Sequence, residues 1–186
     1  MQDTIKETID NLGKNHIAGY YVESIFQLHE LIRKLMPEGQ TVGCGDSVTL
    51  EQTGVYEYVR NHYYNFLDKH QEGLGHEEKR ELYLKNFRAD TFLTGINAVT
   101  ADGKLFNIDG NGSRVAPIIY GPRQAIAVVG TNKIVKSVDD AILRTRQIAA
   151  PLDAKRLGKE TPCTTLGRCI DCHHFQRICN DFVLIT

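Results

Sequence analysis

The spacing of apolar residues predicts helices in the first half of the chain. In residues 24–36 (SIFQLHELIRKLM) apolar side chains recur every three or four positions, as on one face of a helix, and Ser24 is a suitable N-cap. Residues 4–12 show the same period. Residues 76–90 are rich in strong helix formers. Between these segments, Tyr20–Val22 and residues 63–67 (YYNFL) have the composition of short strands.

The second half of the chain has short β-prone runs separated by glycine-containing turns. Residues 124–130 (QAIAVVG) form a continuous apolar run, which is typical of a strand covered on both faces. Residues 137–151 begin with a serine cap and acidic residues, which predicts a helix that ends at Pro151. The other β-prone runs are FLTG, AVT, KLFNID and the C-terminal FVLIT, which we expect to return as a strand. Strands that alternate with helices predict an α/β fold with a largely parallel sheet.

The domain organisation expected from this pattern is simple. A chain of 186 residues is long enough for one α/β domain, which we place at residues 1–150. Residues 151–186 are expected to form an irregular, cysteine-rich tail that packs on the same domain.

Composition and charge exclude several classes of function. The net charge is −1, so the chain has no basic footprint for nucleic acid. No segment approaches the roughly 18 consecutive apolar residues of a membrane span. The N-terminal segment MQDTIKETIDNLGKN lacks the basic and apolar regions of a signal peptide, and we therefore expect a reducing cytoplasm.

The strongest chemical signal is a cluster of thiols near the C-terminus. Four of the five cysteines, Cys163, Cys169, Cys172 and Cys179, are spaced as C-x5-C-x2-C-x6-C. Four ligands suit a tetrahedral zinc ion, and four thiolates suit an iron–sulfur cluster. We expect these cysteines to bind one metal centre. Disulfides, and thiols that only lie close together, are the alternatives.

Two glycine-rich turns are candidate ligand-binding segments. The first, VGCGDSVTL (residues 42–50), is a strand, a turn and a capped helix, in which Gly43 and Gly45 allow close approach of a ligand and Asp46 or Ser47 caps the helix. Connecting a strand to a helix is the simpler alternative for this turn.

The second candidate segment, residues 94–116, contains the dipeptide Asp102-Gly103, which predicts a hairpin turn. Near it, carboxylate, amide and cationic side chains could converge where strands end, with Arg114 holding an anion and an aspartate accepting a proton. Turn formation alone would also explain many of these residues. The polar candidates in and after this segment are Asn97, Asp102, Asp109, Asn111, Arg114 and Lys133.

The run TGINAVTADGKLFNIDGNGSRVA, followed by GP, VVGTNKIV and the helix ending in AAP, closely resembles the lactate-utilisation (LUD) domain family. VGCGDSVTL resembles an early glycine-rich motif of that family, and short single-domain members also carry a cysteine tail. The resemblance implies a Rossmann-like α/β sandwich similar to that of sugar isomerases and CoA transferases. Ser113 departs from the pattern, in which asparagine is expected before the arginine.

By this resemblance, a pocket would be lined by the glycine-rich turn together with the polar residues of the second segment. Asp102, Asp109 and Lys133 are the candidate catalytic residues, and Gly43, Gly45, Asp46, Ser47, Asn97, Asn111 and Arg114 the candidate substrate-binding residues. The family link to bacterial lactate oxidation favours a [4Fe–4S] cluster over zinc as the cofactor. It also implies iron–sulfur oxidation proteins as partners, and a homo-oligomer is a further expectation.

Three functions follow from these observations. The first is a protein of organic-acid utilisation that binds a small anionic metabolite beside a metal centre. The second is an isomerase-like or transferase-like enzyme acting on a small phosphorylated or acyl substrate. The third is a non-catalytic assembly subunit whose tail is stabilised by zinc.

Overall fold

The computed structural model describes residues 2–186, which divide into two compact units. We call Tyr21–Gly95 with Ser113–Val129 the parallel unit. The described residues up to Tyr20, with Ile96–Gly112 and Gly130–Thr186, are the mixed unit. The division therefore does not fall at residue 150. Residues 151–186 belong to the mixed unit because their last strand pairs with a strand of residues 96–112.

The parallel unit is built on a four-stranded sheet in which every neighbouring pair of strands is parallel. Its strands are β1 (Thr41–Cys44), β2 (Asn65–Phe66), β3 (Thr91–Gly95) and β6 (Gln124–Val128). Their spatial order is β2-β1-β3-β6. The order reverses at β1, because the chain passes first to β2 on one side and then to β3 on the other. Such a reversal is a topological switch point.

Helices cover both faces of this sheet. Val42 and Leu93 pack in one core with residues of α2 (Ile25–Leu35), α3 (Val48–Gln52) and α4 (Val55–Arg60). Gly43 points to the opposite face, since side chains alternate along a strand, and there it lies against α5 (His76–Asn86). A short helix, α6 (Ala116–Ile119), precedes β6. The predicted α/β fold with a parallel sheet is confirmed.

The mixed unit contains a second four-stranded sheet, formed by β4 (Ala98–Thr100), β5 (Leu105–Asp109), β7 (Ile134–Val135) and β8 (Asp181–Ile185). Their spatial order is β7-β4-β5-β8. β4 pairs with β5 in the predicted hairpin, and β8 returns antiparallel to β5 as the FVLIT pattern indicated. The helices are α1 (Gln2–Lys14), α7 (Val138–Arg144), α8 (Ala150–Arg156) and α9 (Pro162–Leu166), with a 3₁₀ turn at Thr131–Lys133. α7 packs on this sheet through Ala141 and Ile142.

Three expectations about local structure are wrong. Tyr20–Val22 forms no strand. β6 is an edge strand, and Ala125 and Ala127 on one of its faces are exposed, so it is not covered on both faces. Pro151 does not end the helix: a π-helical turn, Thr145–Ala149, joins α7 to α8. In this turn the Ala150 N–H donates to the Thr145 carbonyl, five residues earlier. Pro151 then stands in the first turn of α8, where the N–H that proline lacks costs little stability.

None of the helices formed by residues 2–186 is long and apolar enough to cross a membrane.

Candidate functional site

Arg114 lies at the switch point of the parallel sheet. Gly45 follows β1, and its N–H donates to the carbonyl of Leu93 in β3 at 2.8 Å. The Arg114 Nη1 donates to the carbonyl of Gly95, the last residue of β3, at 3.1 Å. Arg114 Cγ is so close to Gly45 that a Cβ atom there would stand 2.8 Å from it. The carboxyl ends of β1 and β3 therefore carry a half-buried guanidinium group, where open α/β sheets bind ligands.

The structure gives two other residues of the glycine-rich turn packing roles. A Cβ atom at Gly43 would lie 2.4 Å from Asn86 Oδ1, so the glycine lets α5 approach the sheet. Ser47 is the N-cap of α3, and its Oγ accepts a hydrogen bond from the Leu50 N–H at 3.3 Å. Gly95 in turn provides space for Ser47 Oγ. These contacts account for local structure, and the predicted substrate contacts of Gly43 and Ser47 stay predictions.

Asp46 lies beside two residues that the sequence analysis missed. Its Oδ1 is 3.7 Å from the Lys69 Nζ and 4.0 Å from the His70 Nε2. Lys69 is 9% exposed and places its ammonium 5.5 Å from the centre of the Tyr83 ring. Burial and the neighbouring Lys69 lower the pKa of His70. The two residues stand one and two positions beyond Asp68, which directly follows the strand predicted at YYNFL, so the rule that polar residues after a strand mark a site would have identified them.

An ion pair between Arg60 and the buried Asp68 holds the segment that carries these two residues. The Arg60 Nε donates to Asp68 Oδ2 at 2.7 Å, and the Arg60 Nη2 donates to Oδ1 at 3.3 Å. Asp68 Oδ1 also accepts the backbone N–H of His70 at 2.9 Å. Burial raises the pKa of Asp68, but the bonds from Arg60 and His70 outweigh it, and the pKa is lowered overall.

In the mixed unit, several predicted site residues lie at one end of the sheet. Asn97 precedes β4, Lys133 precedes β7, and β4 and β7 run parallel. Asp109 ends β5, which runs antiparallel to β4, so it lies at this same end. Asn111 follows it, and its N–H donates to Asp109 Oδ1 at 3.3 Å. This end of the sheet therefore combines an amide, a carboxylate and a cation.

Asn97 also holds the sheet together. Its N–H donates to Asn107 Oδ1 at 3.1 Å, and its own Oδ1 accepts the Ile108 N–H at 2.9 Å. Its carbonyl accepts a hydrogen bond from the Arg144 Nη1 at 2.6 Å. Arg144 is another polar residue that the sequence analysis did not select, although it stands in a segment predicted as a helix.

Asp102 lies at the opposite end of β5 from Asp109. It occupies the β4–β5 turn, where it accepts hydrogen bonds from Thr100 and, at 2.6 Å, from the Lys104 Nζ. The bonds from Lys104 and Thr100 lower the pKa of Asp102. β5 begins after the turn that holds Asp102 and ends at Asp109, and its four steps of about 3.3 Å span about 13 Å. The structure thus separates these two candidate bases. Catalytic roles for Asp102, Asp109 and Lys133 stay predictions.

The four tail cysteines are half-buried thiols, and none of the described cysteines forms a disulfide. The Asp171 N–H donates to Cys169 Sγ at 3.3 Å. Arg146, from the π-helical turn, pairs with Asp171 at 2.5 Å and lies beside the Cys169 thiol. Burial raises the pKa of Cys179, with Arg177 opposing the shift and the nearby Cys169 and Cys172 adding to it. These three thiols are therefore close enough to interact.

Within residues 2–186, no three His, Cys, Asp or Glu side chains are arranged to hold a metal ion. The donor set of four thiols fits a cluster or zinc by its chemistry. The metal centre predicted from the cysteine spacing stays a prediction.

These features define a mixed α/β protein with a cationic residue at the switch point of a parallel sheet. A model of the LUD domain family matches residues 5–186, and the chain belongs to that family. Membership supports a role related to lactate utilisation. Among solved structures, a DUF162 family protein from Deinococcus radiodurans is similar, with 17% identity and a TM-score of 0.48 over 85% of this chain and 82% of that chain. None of the curated proteins matches this chain significantly.

Proposed function

We propose that this protein serves organic-acid utilisation by binding a small carboxylate at the carboxyl ends of β1 and β3. The observation that carries the proposal is the placement of Arg114 over Gly45 at the switch point. A guanidinium group forms paired hydrogen bonds with a carboxylate. The missing side chain at Gly45 leaves room for the arginine stem beside the strand end. Family membership supports lactate and pyruvate as the first acids to examine.

Calorimetric titration of Arg114→Ala tests this proposal. Binding of DL-lactate and pyruvate should weaken by about 1.5–3 kcal/mol, the usual value of a hydrogen bond to a charged group. Arg123→Ala is the matched control, because Arg123 belongs to the same unit and its side chain is 86% exposed. If Arg114→Ala lowers the melting temperature strongly while its folded fraction binds both acids normally, Arg114 is a structural clamp and the proposal fails. Sugar phosphates that bind in place of the acids would favour an isomerase-like enzyme.

We further propose that Cys163, Cys169, Cys172 and Cys179 bind a [4Fe–4S] cluster that serves the same oxidation pathway. The N–H···S bond at Cys169 and the cationic Arg146 and Arg177 support it, because such groups stabilise thiolate ligands and tune cluster potentials. Anaerobically purified protein should be brown and contain iron. Cys169→Ser should lose the iron, whereas Cys44→Ala should retain it. A colourless protein with zinc would instead support an assembly subunit, and native disulfides among these cysteines would exclude both.

A further inference from the structure

The segment Asp68–His70 brings a histidine to the same sheet edge as Arg114. β2 lies beside β1 and parallel to it, so residues that follow each strand meet at one edge. Asp46 follows β1, and Lys69 and His70 follow β2. Asp46 is the next residue in the chain after Gly45, and the aliphatic part of the Arg114 side chain packs against Gly45. His70 and Arg114 are therefore both next to the Gly45–Asp46 turn.

Tyr56 links His70 to this turn from a third element, α4. Its hydroxyl donates to the carbonyl of Gly45 at 2.8 Å, and its ring centre is 4.8 Å from that of His70. The side chain of His70 remains 33% exposed, whereas Lys69 is 9% exposed. Of this pair, His70 is the residue that a ligand can reach, and Lys69 is placed to balance the charge of Asp46.

We propose that His70 recognises the hydroxyl group of a 2-hydroxy acid, with Asp46 favouring the ring proton on Nε2 and so leaving Nδ1 as the hydrogen-bond acceptor. The inference rests on the small-acid site proposed above and names the part of the ligand that Arg114 does not bind. A hydroxyl group donates a hydrogen bond, whereas the keto group of a 2-oxo acid only accepts one. A neutral imidazole with one free lone pair therefore distinguishes the two.

The charges around His70 agree with this role. Asp46 Oδ1 lies 4.0 Å from Nε2 and favours the proton on that nitrogen, which leaves Nδ1 as the acceptor. Burial and the positive charges of Lys69 and Arg60 lower the pKa of His70, and Asp46 and Asp68 only partly oppose them. The imidazole is thus neutral at pH 7.5.

The test compares binding of DL-lactate and pyruvate at pH 7.5 by calorimetry. His70→Phe keeps an aromatic ring beside Tyr56 but removes the acceptor. It should raise the dissociation constant for lactate roughly three- to tenfold, the effect of one neutral hydrogen bond, and leave pyruvate binding unchanged. His70→Gln retains an acceptor oxygen and should restore part of the preference for lactate over pyruvate. His76→Phe is the matched control, because the His76 side chain is 91% exposed.

An equal change for both acids, or no change for either, would overturn the role of His70 while leaving the Arg114 site intact. If wild-type protein binds neither acid, the proposed function fails, and this inference fails with it. Nuclear magnetic resonance of wild-type protein provides a reading that does not depend on the stability of a variant. DL-lactate should move the ring signals of His70, assigned by their loss in His70→Phe, but not those of His76. Unmoved His70 signals in lactate-saturated protein would reject the inference.

Discussion

Arg114 passes so close to Gly45 that a Cβ atom at residue 45 would stand 2.8 Å from Arg114 Cγ and 3.1 Å from Thr94 Oγ1. The two residues are separated by 69 positions in the sequence, yet the guanidinium group can lie across the ends of β1 and β3 because residue 45 has no side chain. The glycine of this turn therefore serves the placement of a cation as well as the passage from strand to helix.

Gly45→Ala should displace the stem of Arg114. Adding a methyl group to such a packed position costs about 1–3 kcal/mol of stability. In the Arg114→Ala background the cost should be smaller, because the nearest clash is gone, and a double-mutant cycle by urea denaturation measures this coupling. Gly13→Ala is the control, since a Cβ atom at residue 13 meets nothing within 4 Å. Additive effects of the two substitutions would show that Arg114 does not restrict the size of the side chain at residue 45.

Asp68→Asn should destabilise the protein by about 1–3 kcal/mol at neutral pH, because the Arg60 and His70 N–H donors lose a charged acceptor. The folded-state pKa of Asp68 is lowered, so its contribution is fully present above the unfolded-state value of about 3.9 and is lost as the pH falls through the folded value. Urea denaturation between pH 7 and pH 2.5 should show the two proteins converging at the acid end. Asp153→Asn, which breaks an exposed helical pair with Arg156, should cost at most about 0.5 kcal/mol. If the difference in the free energy of unfolding between wild type and Asp68→Asn does not change with pH, the lowered pKa assigned to Asp68 is wrong.

The five cysteines should differ sharply in reactivity. Burial raises the pKa of Cys44 to about 11, whereas the tail thiols are half-exposed. Since the thiolate is the reactive form, N-ethylmaleimide at pH 7.5 should modify the tail cysteines of metal-free protein and leave Cys44 unmodified, as read by peptide mass spectrometry. In urea all five should react. Labelling of Cys44 at the rate of the tail cysteines would show that local unfolding readily exposes this thiol.

Gly103→Ala tests the packing of the β4–β5 turn against α1. Gly103 has a φ of +85°, and a Cβ atom there would lie 2.4 Å from the backbone carbon of Asn11. The left-handed conformation alone costs an alanine about 1–2 kcal/mol. Gly112→Ala is a matched control, because Gly112 has a φ of +77° with nothing within 4 Å. Gly103→Ala should therefore lower stability more than Gly112→Ala, and thermal denaturation of both variants measures the difference. Equal losses of stability in the two variants would show that α1 shifts to accommodate the added methyl group at residue 103.

Much of the architecture could be predicted from local pattern. The helices at residues 25–35 and 76–86, the Asp102-Gly103 hairpin and the returning C-terminal strand all follow from periodicity and turn chemistry. The strand proposed at Tyr20–Val22 did not form, because strand composition has no effect without a neighbouring strand to pair with. In the sequence Pro151 indicates a helix end, because the π-helical turn before it leaves no recognisable signal.

The candidate site, too, could be predicted only in part from the sequence. Sequence alone determined which residue types end or follow each strand: a glycine, an aspartate and a serine after β1, and a run from Asp109, the last residue of β5, to Arg114. Only the tertiary structure decided which of them meet, because strand order and direction are set by pairings between distant segments. The order β2-β1-β3 put Arg114 over Gly45 and brought Lys69 and His70 beside Asp46. The antiparallel hairpin placed Asp102 and Asp109 at opposite ends of one strand, although in the sequence only six residues stand between them.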